Sequence, residues 1–89
     1  MINTLTQDLT FFSDPSHAWL KVSKLHLEVF NIANKISSYS YMNGDDVYLE
    51  EDCDAYIYLN ALKKAGINYN INEQFDDNSI IRSFNHYQY

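Results

Sequence analysis

Along the 89 residues the hydrophobic pattern switches repeatedly between a two-residue and a helical period. LTFF (9–12) and HAWLKV (17–22) are short aromatic or β-branched runs separated by SDPS, whose Asp14-Pro15 pair favours a turn, so the pattern predicts a hairpin. In the second run Ala18, Leu20 and Val22 share one face. Trp19 and Lys21 share the other, so Trp19 needs a second layer over it or stands partly exposed.

Ser23 is placed to cap a helix through KLHLEVFNIANK, in which Leu25, Val29, Ile32 and Ile36 recur at helical spacing and Glu28 and Asn31 fall between them. SSYSYMNGDDVYLEE then predicts a second hairpin. Tyr39 and Tyr41 alternate with Ser40, Val47 and Leu49 alternate with Tyr48 and Glu50, and Asn43-Gly44 supplies positive-φ turn chemistry. Asp52 or Asp54 caps a second helix reaching about Ala65, with Ala55, Leu59, Leu62 and Ala65, or Ile57, Tyr58 and Ala61, in a wide apolar face. Lys63 and Lys64 suit its last turn and Gly66 its end. In INYNINEQF, Ile67, Tyr69 and Ile71 alternate with Asn68, Asn70 and Asn72, the pattern of a strand with one face buried. DDNS turns the chain and IIRSF reads as an edge strand before an aromatic tail. The resulting order, β-β-α-β-β-α-β, implies an α+β fold: a small antiparallel sheet of two hairpins plus a later strand, with two helices packed on one face.

Length makes this one domain, 1–89, with a single small core. Eight Tyr and five Phe carry much of the apolar area, an efficient way to fill a core of this size, and a homodimer interface would help for the same reason. The amino-terminal MINTLTQDLTFF has neither the positive flank nor the apolar run of a signal peptide or membrane helix, so a cytoplasmic protein is expected. A net charge of −6 opposes direct nucleic-acid binding and attachment to an anionic membrane, and favours a basic protein surface as partner.

Asp45, Asp46, Glu50, Glu51, Asp52 and Asp54 are six of the 12 acids. They read as a solvated hairpin tip followed by an acidic helix start, or as a patch that competes for a nucleic-acid site on another protein. Stretched out, ten residues span about 33 Å, about one charge per 5.5 Å against about one per 1.7 Å in duplex DNA. The segment alone is thus a thin imitation of phosphate. Mimicry would need Glu28, Glu73, Asp76 and Asp77 on the same face. Tyr39, Tyr41 and Trp19 would add contact area to such a surface, Tyr being enriched at protein contacts, with core filling as the competing use.

A calcium loop is disfavoured because Val47 and Leu49 fall where ligands should be. A zinc site would need most of Cys53, His17, His26 and His86 to converge. Cys53, flanked by carboxylates that oppose the thiolate, reads as packed and inert. No phosphate loop, zinc helix or nucleophile elbow is present, so neither catalysis nor a cofactor is expected. The alternatives are a small enzyme or ligand-binding protein centred on His17, Trp19 and the segment Glu50, Glu51, Asp52, Cys53 and Asp54, with His17 as acid or base, or a structural or regulatory dimer.

SHAWLKV, NKISSYSYMNGDDVYLEEDCDA and SIIRSF resemble, in this order, segments of a group of small uncharacterised proteins carried by phages, plasmids and bacterial genomes: GHGWLxV, KISxYSY, LEEDCDA and a late IRSY. The resemblance spans roughly residues 14–84 and departs at Ser16 and Ala18, which stand in place of glycines, and at Phe84, in place of Tyr. It implies a mobile-element setting and a character similar to anti-CRISPR or other anti-defence inhibitors. It implies no catalytic residues.

Overall fold

A computed structural model describes residues 6–89; Met1 to Leu5, part of the segment read above for a leader, lie outside the described residues. The fold is α+β: a six-stranded mixed sheet with two α-helices. β1 (Thr6–Ser13) and β2 (Ala18–Ser23) form the first hairpin, with Phe12 opposite Trp19 and Phe11 opposite Leu20. β3 (Tyr41–Asn43) and β4 (Asp46–Glu50) form the second, and β4 pairs antiparallel with β2. The connection is the two-residue Gly44-Asp45 rather than Asn43-Gly44. Gly44 supplies the left-handed backbone at φ 62°, at the first loop position, where hairpins favour Gly.

The expected all-antiparallel sheet is corrected by β5 (Asn68–Phe75), which lies parallel to β1, from Thr6 opposite Asn68 to Ser13 opposite Phe75. The expected strand at IIRSF is a 3-10 turn, Ile80–Ser83, whose Ser79 hydroxyl accepts from the Ile81 N–H. It leads into a short β6 (Asn85–His86) against β3. The sheet order is β5-β1-β2-β4-β3-β6.

The first helix is shorter than its periodicity suggested. α1 spans only Lys24–Val29, and Ser23 at its start makes no side-chain cap bond. Asn31 takes φ 57°, the Ile32 N–H bonds the Leu27 carbonyl and the Asn31 N–H that of Glu28, which ends the helix in a Schellman motif before a 3-10 turn at Ala33–Lys35. Leu25 and Val29 consequently face solvent, 65% and 67% exposed, and Leu27 is the buried residue. α2 (Ala55–Lys64) ends in the same motif, with Gly66 at φ 74° and the Ile67 N–H on the Leu62 carbonyl. Its buried residues Ala55, Tyr58 and Leu62 combine members of the two expected faces, and Leu59 is half-buried.

Strand alternation sends Leu9, Leu20, Val22, Val47 and Leu49 to the helix-covered face, where Leu27, Ile36, Tyr58, Leu62 and Tyr87 complete the main core. On the opposite face Trp19, Tyr48 and Ile81 form a second core flanked by Phe12, Tyr41 and Phe84. The carboxy-terminal segment is therefore the layer that Trp19, 2% exposed, required.

Candidate functional site

The β1–β2 turn builds one corner of the site. Asp14 folds it as an Asx turn, its Oδ1 accepting from the Ser16 and His17 N–H groups at 2.9 Å each. Both carboxylate oxygens also receive Arg82, from its Nε and Nη2, and the guanidinium carbon stands 5.3 Å from the Trp19 ring centroid. This pairing holds the Asp14 carboxyl well below the usual range, against the opposing effect of burial.

The turn also aims His17 at the end of β4. Its Nδ1 lies 3.2 Å from Glu50 Oε2. Because an ionised carboxylate only accepts, that contact puts the ring proton on Nδ1. Glu50 Oε1 accepts from the backbone N–H groups of Asp52 and Cys53, at 2.8 and 3.1 Å, which fixes the turn leading into α2. At the far edge, His86 Nδ1 donates to the Ser38 carbonyl at 2.8 Å and its ring stacks on Tyr41 with centroids 4.8 Å apart.

These side chains enclose an open cavity of about 310 Å³ on the helix-free face, lined by His17, Trp19, Tyr39, Tyr41, Glu50, Asp52, Cys53, Arg82 and His86. Trp19 Nε1 is buried and has no hydrogen-bond partner among the described residues. The geometry suits a planar group held by rings, with cations and carboxylates at its rim.

The acidic segment does not form one surface. Asp54 occupies the start of α2 but caps nothing. It is 2% exposed and accepts from the Ser37 N–H and from both the Ser37 and Ser40 hydroxyls. Glu50, read as outward, is 6% exposed, and Trp19, read as contact area, is buried. Asp46 stands 3.7 Å from Lys21 Nζ. Asp45, Glu51, Asp52 and Tyr39 are exposed, and Tyr41 is half-buried.

A second cleft, on the other side of the β1–β2 turn, brings Glu51 together with Asp14, His17 and Glu73 of β5. Burial, followed by the charges of Asp52, Glu50 and Glu73, pushes the Glu51 carboxyl up, with His17 opposing. Of the other acids named for mimicry, Glu28 lies on α1, on the helix-covered face.

Sequence reasoning placed His17, Trp19 and the segment Glu50, Glu51, Asp52, Cys53 and Asp54 in one hypothesis; the fold gathers His17, Trp19, Glu50, Asp52 and Cys53 around this cavity, while Glu51 lines the other cleft and Asp54 is buried against Ser37 and Ser40. That reasoning missed Arg82, which lies 68 residues beyond its partner Asp14, and the inward role of Asp54, and it named His86 only as a zinc candidate. The Asp14 turn was legible in SDPS; nothing local marked its ion pair with Arg82. Among the described residues no group of His, Cys, Asp and Glu is placed to hold a metal ion, and no helix is long and apolar enough to cross a membrane. No protein-family model, curated protein or solved structure matches the chain.

Proposed function

We propose that this chain is a non-enzymatic binding protein of a mobile genetic element, working in the host cytoplasm by covering a basic surface of a nucleic-acid-handling defence complex, in the manner of an anti-CRISPR inhibitor. The observation that carries this reading is the meeting of Glu51 and Glu73, 22 residues apart in sequence, in one cleft beside Asp52. The repulsion on Glu51 comes chiefly from Asp52 and Glu50 and least from Glu73, and a cationic partner would relieve it. Asp45 and Asp46 sit at the other end of β4, Asp46 beside Lys21, and stand outside this contact, while Tyr39 adds exposed ring area near Asp52 and the half-buried Tyr41 lines the same cavity as Glu50 and Trp19. Blocking is steric and electrostatic and needs no bond chemistry.

The test is plasmid interference in a bacterial host carrying an active CRISPR system. The wild-type protein is expected to restore transformation by a targeted plasmid. A triple reversal, Glu51→Lys, Asp52→Lys and Glu73→Lys, should abolish the effect while melting like the parent. Equal restoration by both proteins would remove the acids from the mechanism. Failure of the wild type against every CRISPR type would remove the function itself.

One observation favours a second reading, a ligand site in the Trp19 cavity: it is an aromatic-lined hollow rimmed by His17, Arg82 and His86 together with Glu50 and Asp52. Trp19 is the sole Trp, so its fluorescence reports occupancy directly. Saturable quenching by a nucleoside or aromatic amine, lost in Arg82→Ala, would support it; an unresponsive indole across such a panel would not.

A further inference from the structure

We propose that the outer edge of β5 is a homodimer interface, two copies pairing their β5 strands antiparallel about a two-fold axis at Ile71.

β5 ends the sheet, eight residues long, and among the described residues nothing pairs with its outer side. The Asp76 N–H donates to the Ser13 carbonyl at 2.9 Å, continuing the ladder to β1. In a parallel strand alternate residues turn both backbone groups to the same neighbour, so even-numbered residues serve β1 and Tyr69, Ile71, Glu73 and Phe75 present theirs outward. Natural edges of this length are blunted by Lys, Pro or a bulge. Asn68–Phe75 contains neither Lys nor Pro and runs in unbroken register with β1.

Charge and side-chain chemistry select a second copy as the occupant. The strand carries one charge, Glu73, in a chain of net −6, so pairing two copies along it sets few like charges against each other. Its sequence also complements itself. Pairing about Ile71 sets Ile71 against Ile71, Tyr69 against Glu73, Asn70 against Asn72 and Asn68 against Gln74. Each amide then finds another that both donates and accepts, and the phenol meets a carboxylate. Backbone parity requires odd residues opposite odd ones, which a two-fold through any residue of the strand satisfies; a centre at Asn72 would set Ile71 against Glu73 and one at Asn70 would set Ile67 against Glu73, an apolar side chain against a charge in each case. Centring on Glu73 would set like charges directly opposite, which disfavours that register. Tyr69 and Ile71, each 38% exposed, would be covered on the helix side of the extended sheet.

Sedimentation of the wild-type chain, Ile71→Lys and Tyr69→Lys, with amide exchange of β5, tests the proposal independently of any defence system. The wild type should be dimeric, with the Ile71 N–H protected although its direction leaves it no partner among the described residues of its own chain. Ile71→Lys places two cations across the axis and should weaken the dimer at least about tenfold. Tyr69→Lys faces Glu73 of the other copy and should keep the dimer, with greater salt sensitivity. A monomeric wild type at millimolar concentration, a dimer in which the Ile71 amide exchanges freely, or an unweakened Ile71→Lys dimer would each overturn it. The exchange measurement on wild type decides even if a variant fails to fold.

Discussion

The Arg82 guanidinium closes on the Asp14 carboxylate across 68 residues of chain while its flat face lies over Trp19. One side chain thus joins the β1–β2 turn, the carboxy-terminal segment and the second core. Asp14 is itself buried, so its charge depends on this partner. Arg82→Ala should lower stability, because it leaves the buried Asp14 carboxylate without its cation, and Asp14→Ala should lower it too, because it removes the acceptor of the Ser16 and His17 N–H groups. In a double-mutant cycle from urea melts the two losses should be strongly non-additive; additive losses would mean the pair contributes little.

Asp14 also predicts an acid limb of stability. Its carboxyl, held below the ordinary 3.8 chiefly by the Arg82 hydrogen bond, stays ionised in the folded state where the unfolded chain binds a proton. The contribution is complete above that ordinary value and is lost as pH falls below it. Urea midpoints measured from about pH 6 to about pH 2 should therefore drop in wild type and drop less steeply in Asp14→Asn.

Asp54 should matter far more than its neighbour Asp52. Asp54→Ala strands the Ser37 N–H and the Ser40 hydroxyl, which also accepts from the Glu50 N–H at 3.0 Å, so a loss of about 1.5 to 3 kcal/mol is expected. Asp52→Ala at an exposed position should stay within about 0.5 kcal/mol. Equal losses in thermal melts would refute the inward role of Asp54.

The corrected helix face makes a packing prediction. Leu62→Ala, at a site with no exposure, should cost about 2 to 5 kcal/mol, and Leu59→Ala, at a half-buried one, clearly less. Chemical denaturation of the two variants checks the order.

Cys53 should behave as an unreactive thiol. Burial first, then its hydrogen bond to Glu50 and the charges of Glu50, Asp54 and Asp52, push it up from the ordinary 9.0. Native alkylation at neutral pH should be slow, should accelerate on unfolding, and should rise in Glu50→Gln, which removes one of those charges. Rapid native labelling would restore the reactive-thiol reading.

What the sequence determined by itself was local. Both hairpins, α2 with its Gly66 terminus, and the existence of β5 follow from period, turn chemistry and capping, interactions that act over a few residues. Trp19 in HAWLKV posed the choice between a covering layer and partial exposure. What only the tertiary structure decided was which neighbour each element met. Asn31 ended α1 early because Ile32 could then enter the core, leaving Leu25 and Val29 in water despite their helical spacing. β5 joined β1 in parallel at the edge, so its alternating Ile and Tyr bury little. Asp54 turned inward because Ser37 and Ser40 arrived beside it, and Arg82 became a keystone because Asp14 and Trp19 lay within its reach. Hydrophobic pattern shows that a face wants cover; only the folded chain supplies what covers it, because the free energy of a long-range contact belongs to the pair and is written in neither residue's neighbourhood.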